Sequence, residues 1–175
     1  MQIVQQFLRI FLDIVLWRRG PQDLPTSSLL VWLTLAAYIA VSAVQLLLLN
    51  ESGIVWFFFL VADPLLLSAW VWLVLKVFNH AERFQQTVAA VLGTGALLGL
   101  VIYLPLQLLV TGLGFGASSP IAQGVALGLV VIFALVTGRI IKLATDSSLF
   151  TGIAVALTYF IVINTLVGMV RGPGS

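Results

Sequence analysis

The sequence contains no cysteine, which excludes disulfides, thiolate metal sites and a cysteine nucleophile. It also has little charge. Only 8% of its 175 residues are Asp, Glu, Lys or Arg, whereas soluble proteins carry roughly 25%. Hydrophobic residues make up 61% of the chain. So few charges cannot cover the surface of a soluble domain, and we therefore expect lipid-facing surface in place of water-facing surface.

The groups that enzymes need for chemistry are also scarce. There is one histidine, His80, which lies in a polar link with Glu82 and Arg83 that we interpret as a solvated loop. Asp63 is the one carboxylate central to an apolar stretch, which excludes an aspartyl dyad. P-loop, HExxH and GxSxG motifs are missing, as is a basic cluster for nucleic acid. We expect no enzyme activity, no catalytic residue, no metal, no cofactor and no nucleic-acid partner.

Long apolar stretches dominate the sequence. A helix needs about 20 apolar residues to span a membrane, and five stretches are that long: 28–49, 54–78, 85–110, 120–141 and 149–170. Ser119-Pro120 and Thr145 to Ser148 are typical of helix N-termini. Links are short, so consecutive spans should be antiparallel neighbours. The pattern predicts an all-α polytopic membrane protein with a five-helix transmembrane domain over residues 28–171.

Residues 1–19 differ, because their apolar side chains recur at helical spacing on one face. The apolar set is Ile3, Val4, Phe7, Leu8, Phe11, Ile14 and Val15, and the polar set is Gln2, Gln6, Arg9 and Asp13. This pattern predicts an amphipathic helix in the plane of the membrane interface. The alternative is a helix packed on the cytoplasmic end of the bundle. Residues 20–27 are predicted to be a linker, and residues 172–175 a cloning remnant or a native Gly/Pro tail.

The positive-inside rule orients the five predicted spans. One side carries seven basic residues and the other carries only Arg171. The seven are Arg9, Arg18, Arg19, Lys76, Arg83, Arg139 and Lys142. The bias predicts a cytoplasmic N-terminus and a C-terminus outside the membrane.

Asp63 lies near the middle of the second span, where a carboxylate costs several kcal/mol unless it is protonated or partnered. Its own helix is apolar around it, so partners must come from other spans. Candidates at matching depth are Tyr38, Ser42, Tyr103, Thr158, Tyr159 and Asn164. Pro64 follows and predicts a kink, because it removes a backbone donor. Asp63 is either a proton or cation site, or a hydrogen-bonded residue that fixes packing; the lack of a second carboxylate favours packing.

Two glycine pairs occur at GxxxG spacing, Gly95 with Gly99 and Gly124 with Gly128. Small residues four apart let helix backbones approach closely. We expect the third and fourth spans to pack on each other through these faces; homo-oligomerisation is the alternative. Pro105 predicts a second kink, in the third span.

The order of these elements resembles the YIP family (Ypt-interacting-protein-like membrane proteins) over residues 20–170. Three features carry the resemblance. A cytoplasmic N-terminal segment precedes five spans with short loops. The Pro-containing second span ends in a polar link, and Phe84-Gln85-Gln86-Thr87 then opens a third span that contains Pro105. Residues 139–148 resemble the link between the last two spans.

The resemblance implies a role in membrane organisation. Eukaryotic members are associated with vesicle trafficking and small GTPases through longer cytosolic N-terminal regions. The N-terminal region here is short and amphipathic, as in compact bacterial members, so GTPase binding is not implied and a bacterial inner-membrane location is. We expect a non-enzymatic protein that organises membrane or scaffolds lipids and a protein partner not yet identified. The alternative is a small oligomeric ion or proton channel, or transporter, that uses Asp63.

Overall fold

The computed structural model describes residues 2–48, 53–115 and 119–171. Over these ranges the chain is helical and contains no strand. Five helices are long and apolar enough to cross a membrane, which confirms the predicted all-α polytopic membrane protein. Residues 172–175, interpreted from the sequence as a cloning remnant, lie outside the described residues.

Six helices follow one another along the chain. Helix α1 is Gln2–Val15, α2 is Ser28–Leu48, α5 is Pro120–Thr145 and α6 is Leu149–Arg171. Two helices contain a wider π-helical segment. Helix α3 runs through Ile54–Phe57, the π segment Phe58–Ala62 and Asp63–Val77, and α4 through Phe84–Leu98, the π segment Gly99–Tyr103 and Leu104–Gly112. Short 3-10 turns, Pro21–Asp23 and Ala81–Arg83, precede α2 and α4.

The predicted N-terminal caps of α5 and α6 are confirmed. The Ser119 hydroxyl accepts a hydrogen bond from the Ala122 amide at 3.1 Å, with Pro120 as the first helical residue. The Ser148 hydroxyl likewise accepts from the Thr151 amide at 3.1 Å. Each cap satisfies an amide that the first turn of a helix leaves without a partner.

Helix α4 is the centre of the bundle. Of its most apolar window 67% is buried, against 11–39% for the other four spans. Its buried face consists largely of small residues, including Ala89, Ala90 and Thr94, so α1, α2, α3 and α5 all contact it. Helix α2 packs chiefly on α4 and less on its neighbour in sequence, α3. The expectation that consecutive spans are neighbours holds for α5 and α6, and α2 also contacts α3, although its main packing surface is α4.

The glycine pairs do not pack on each other as expected. A Cβ at Gly95 would meet the ring of Tyr38 at 3.1 Å, and one at Gly99 would meet Gln45 at 2.9 Å, so this pair packs on α2. Gly124 and Gly128 are exposed, and a Cβ at either position would meet no described atom within 4 Å. The reason is that the small-residue face of α4 is already filled by α2.

A different glycine pair joins α5 and α6. A Cβ at Gly138 would meet the backbone of Ile153 at 2.8 Å, and one at Gly152 would overlap the carbonyl oxygen of Gly138. Both glycines are buried. The two helices therefore approach at backbone distance, which only residues without a side chain permit.

Both predicted proline distortions take the form of the π segments. The residue before each proline donates its amide to a carbonyl five residues back: Asp63 to Phe58, and Leu104 to Gly99. Because Pro64 and Pro105 have no amide proton and crowd the preceding turn, the wider turn accommodates them without ending the helix.

We predict that Gly152→Ala destabilises the protein by about 1–3 kcal/mol, the usual consequence of overpacking a filled interior. The added methyl group would collide with the α5 backbone, which cannot move aside as a flexible side chain can. Gly124→Ala is the matched control, since its methyl group would enter open space. Unfolding midpoints of the purified protein measure both, and equal midpoints would contradict the close α5–α6 contact.

Candidate functional site

Asp63 lies on α3 directly after the π segment and is 6% exposed. Tyr38 on α2 donates its hydroxyl to Oδ2 at 2.6 Å, and Tyr159 on α6 donates to Oδ1 at 2.8 Å. The Tyr159 hydroxyl also lies 3.2 Å from the Asp63 carbonyl oxygen. One side chain thus joins three helices. We call Tyr38, Asp63 and Tyr159 the Asp63 cluster.

Side chains from the same helix and from neighbouring helices bond to the backbone around both prolines. At the Pro64 site the Ser68 hydroxyl donates to the Pro64 carbonyl at 2.7 Å, next to the Tyr159 contact with Asp63. At the second π segment the Gln45 amide of α2 donates to the Gly99 carbonyl at 3.2 Å. Lipid offers no hydrogen bonds, so irregular backbone at membrane depth needs partners from the protein.

The structure brings some of the predicted partners to Asp63 and leaves others elsewhere. Tyr38 and Tyr159 bond to it. Ser42 is half-buried on α2 without a hydrogen bond to Asp63. The Tyr103 hydroxyl lies 3.5 Å from the Gln107 amide. Asn164 is exposed and donates to the Phe160 carbonyl of its own helix at 2.7 Å, and Thr158 bonds likewise to Ala154.

The geometry of the Asp63 cluster favours the packing interpretation. Both carboxylate oxygens already accept a tyrosine hydroxyl. Asp63 does not line the cavity of about 260 Å³ in the described part of the chain, which lies between the start of α4 and the end of α5. The cluster therefore suits a fixed cross-link between α2, α3 and α6 better than a position that a passing cation would occupy.

A second group of contacts gathers at one end of the bundle. This end, which we call the polar end, comprises α1, residues 16–27, the links 78–83 and 146–148, and the adjoining helix ends at 76–77 and 139–145. Arg139 of α5 donates to the carbonyls of Trp17 at 2.6 Å and Arg19 at 3.2 Å. Its guanidinium lies 5.2 Å from the centre of the Trp17 ring. Nη1 of Arg139 also lies 3.5 Å from the Ile14 carbonyl oxygen in the last turn of α1. Because the last carbonyls of a helix lack partners and carry partial negative charge, Arg139 caps the C-terminus of α1.

Arg83 caps α5 in the same way. Its guanidinium donates to the Ala144 carbonyl at 3.1 Å and pairs with Asp146 at 2.8 Å. His80 lies 3.6 Å from Asp146 and 3.4 Å from Glu82. The interpretation of this segment as a solvated loop is therefore wrong for Arg83, which is tied to the end of another helix. The sequence signal that could have found this pair was opposite charge, since Arg83 and Asp146 flank spans at the same predicted end.

Three helices end at the polar end with a non-glycine residue in the left-handed region: Trp17, Asn79 and Asp146, with φ of 65°, 60° and 52°. The following amide closes each end by bonding to a carbonyl five residues back, for example Arg18 to Asp13 at 2.8 Å. Glycine is the usual residue there. Trp17 and Asp146 instead supply the side chains that contact Arg139 and Arg83, which explains why these two strained positions are not glycine.

The predicted linker is packed rather than loose. Leu24 is buried, and its carbonyl accepts a hydrogen bond from the Gln86 side chain of α4 at 2.6 Å. Asp23 accepts from the Gly20 amide at 2.8 Å. Between this segment, the start of α4 and the end of α5 lies a half-open cavity of about 260 Å³, lined in part by Gln22, Arg83 and Asp146.

Helix α1 has three faces. Phe11 and Ile14 are buried against the bundle, and the Phe11 ring fills the space that a Cβ at Gly93 would take. Arg9 and Asp13 form the polar face. Between these faces runs an exposed apolar stripe: Leu8, Leu12 and Leu16 are 47%, 42% and 58% exposed. The helix therefore packs on the bundle, as the alternative interpretation held, and still presents apolar surface outward.

Comparison with protein-family models, curated proteins and solved structures finds no match to this chain. Functional inference therefore depends on the geometry of the polar end and of the Asp63 cluster.

We predict that Tyr38→Phe lowers the free energy of unfolding by about 1–3 kcal/mol, because it leaves a buried carboxylate oxygen without a donor. Tyr103→Phe is the control, as its hydroxyl does not reach Asp63. Unfolding of the purified protein in a denaturing detergent series measures both. A loss no greater for Tyr38→Phe than for the control would contradict the cluster.

We also predict that Arg139→Gln releases the end of α1. Amide hydrogen exchange of residues 10–18 should accelerate at least about tenfold, as local opening replaces a charge-assisted cap worth roughly 1.5–3 kcal/mol. Lys142→Gln, one turn away on the same helix, removes an equal charge and should leave this exchange unchanged. Unaltered protection in Arg139→Gln would refute the capping role.

Proposed function

We propose that this chain is a non-enzymatic membrane-organising protein that inserts α1 as a wedge into one leaflet of the bilayer. The observation that carries the proposal is the exposed apolar stripe on α1, a helix packed against the membrane-spanning helices α4 and α5. An apolar surface in that position is stable in contact with lipid chains and unstable in contact with water.

The depth at which α1 is held supports this assignment. Arg139 lies six residues before the end of α5, which is about 9 Å along the helix. Helix α5 has 26 residues, so it exceeds a core of about 30 Å by roughly 4–5 Å at each end if it is centred and upright. The C-terminus of α1 then lies about 5 Å inside the hydrocarbon.

The contact of Phe11 with α4 gives a second, independent estimate of the depth of α1 in the bilayer. Its contact, Gly93, lies nine residues after the start of α4, about 14 Å along that helix. Helix α4 exceeds a core of about 30 Å by roughly 7 Å at each end if it is centred and upright, so this contact lies about 7 Å inside the hydrocarbon. Interfacial amphipathic helices insert their apolar face to a depth of about 5–10 Å, and both contacts of α1 agree with that range. At this level the Leu8, Leu12 and Leu16 side chains would lie among acyl chains.

Such a helix expands one leaflet and not the other. It occupies area at the chain–headgroup boundary without crossing the bilayer, so it favours curved or loosely packed membrane. The seven-to-one distribution of basic residues supports a cytoplasmic position for the polar end. The resemblance to compact bacterial YIP-like proteins supports the inner membrane and a scaffolding role, in which the Arg83–Asp146 region would face a protein partner.

The test is enrichment of labelled protein on membrane tubes pulled from giant vesicles in which the N-terminus faces outward. We expect the wild-type protein to concentrate on tubes. Leu8→Gln, Leu12→Gln and Leu16→Gln in combination should abolish the enrichment, because the stripe becomes polar. The matched control carries Met at the same three positions and keeps the apolar area. Enrichment that survives the Gln substitutions would overturn the wedge.

A proton-flux assay in vesicles examines the competing channel function. We expect no flux above that of protein-free vesicles, since both Asp63 oxygens are occupied by tyrosine hydroxyls. Robust flux that disappears in Asp63→Asn would overturn the proposed function in favour of a channel.

A further inference from the structure

At the polar end, some charged side chains are paired within the protein and others are not. Seven basic residues lie at this end, and four acidic ones: Asp13, Asp23, Glu82 and Asp146. All four acids have partners within the protein. Asp13 pairs with Arg19 at 3.4 Å, Asp23 accepts from the Gly20 amide, and Glu82 and Asp146 contact His80 and Arg83.

The basic residues divide into two groups. Arg19, Arg83 and Arg139 are engaged by the acids and helix-end carbonyls already described. Arg9, Arg18 and Lys142 have no acidic partner among residues 2–48, 53–115 and 119–171. Lys76 lies 4.7 Å from the centre of the Trp72 ring, also without an acid in those ranges. Three of the four acids of the polar end thus pair with basic groups, Asp23 bonds to a backbone amide, and four cations have no acidic partner in the described ranges.

These cations lie at the level of lipid headgroups if α1 is a wedge. Lys142 is three residues from the end of α5, about 4–5 Å, which places it at the edge of the hydrocarbon when α5 is centred in the bilayer. Arg9 borders the exposed stripe on α1, and Arg18 follows the end of that helix, beside the capped carbonyls. Both arginines are exposed.

We propose that Arg9, Arg18 and Lys142 form a binding surface for anionic phospholipid headgroups, so that α1 inserts selectively into a negatively charged leaflet. This inference rests on the proposed function and adds the lipid class. Guanidinium and ammonium groups bind phosphate and carboxylate oxygens through charge-assisted hydrogen bonds. Cations beside an anionic leaflet each add attraction that salt weakens.

An acidic segment of a soluble protein is the other class of partner with matching charge. The depth of the Arg139 and Phe11 contacts favours lipid as the partner. A cation beside an inserted helix lies next to lipid headgroups, which separate it from proteins in the cytoplasm. Arg9 and Arg18 also adjoin the Leu stripe on the same N-terminal segment, as a surface that binds chains and headgroups together requires.

The experiment compares spin-labelled phosphatidylserine and phosphatidylcholine at the boundary of the full-length protein in phosphatidylcholine bilayers. We expect a preference for phosphatidylserine of roughly fivefold or more at low salt. Combined Arg9→Gln, Arg18→Gln and Lys142→Gln should reduce the preference to near one, as should high salt. Arg171→Gln, a charge removed from the opposite end, is the control and should leave it intact.

A wild-type protein without the preference, or a triple variant that retains it, would overturn the proposal. So would tight binding of poly-glutamate to the protein in phosphatidylcholine nanodiscs without any lipid preference, since that assigns the surface to an acidic protein. Enrichment of the protein on membrane tubes of neutral lipid tests separately whether α1 acts as a wedge. Enrichment without lipid preference refutes only this inference, and lipid preference without enrichment refutes only the wedge.

Discussion

The hydrocarbon interior accepts no hydrogen bonds, and this constraint decides where the polar groups of the protein lie. At several places where the backbone departs from a regular helix, a side chain from another helix bonds to it. Tyr159 and Gln45 do so beside the two proline-linked π segments. Arg139 and Arg83 do so at the ends of α1 and α5. The few polar side chains of this chain are thus used largely on its own backbone.

This use of polar side chains bears differently on the two functional interpretations, a channel that uses Asp63 and a membrane-organising protein. The Asp63 cluster turns a costly buried carboxylate into a link between three helices, and its oxygens are occupied in doing so. At the polar end the acidic side chains likewise have partners within the protein. Arg9, Arg18 and Lys142 have no acidic partner among the described residues, and the apolar stripe of α1 is exposed. What a protein leaves unpaired at its surface is what it can offer to a partner, and in the proposed function that surface faces the membrane boundary.

Features that depend on local sequence could be predicted. Span length, capping residues and the disturbance at each proline follow from neighbouring residues alone. The tyrosine partners of Asp63 were among the candidates because depth can be counted along a helix; selecting Tyr38 and Tyr159 over Tyr103 and Asn164 requires helix rotation, which apolar helices do not reveal. The predicted partner of the Gly95–Gly99 face, the fourth span, was likewise wrong. Helix α2 packs there instead, and the sequence does not decide between them because a face of small residues can fit many helices. Arg139 contacts residues some 120 positions earlier, a separation no spacing rule covers.

The central position of α4 has a consequence for the order of assembly. Helices α1, α2 and α3 precede α4 in the chain, yet the first two find their main packing surface on it. During synthesis the first half of the protein therefore enters the membrane before its core exists. Helix α1 can complete its packing only after Gly93 has been made to receive Phe11, and after Arg139 has been made to hold its end.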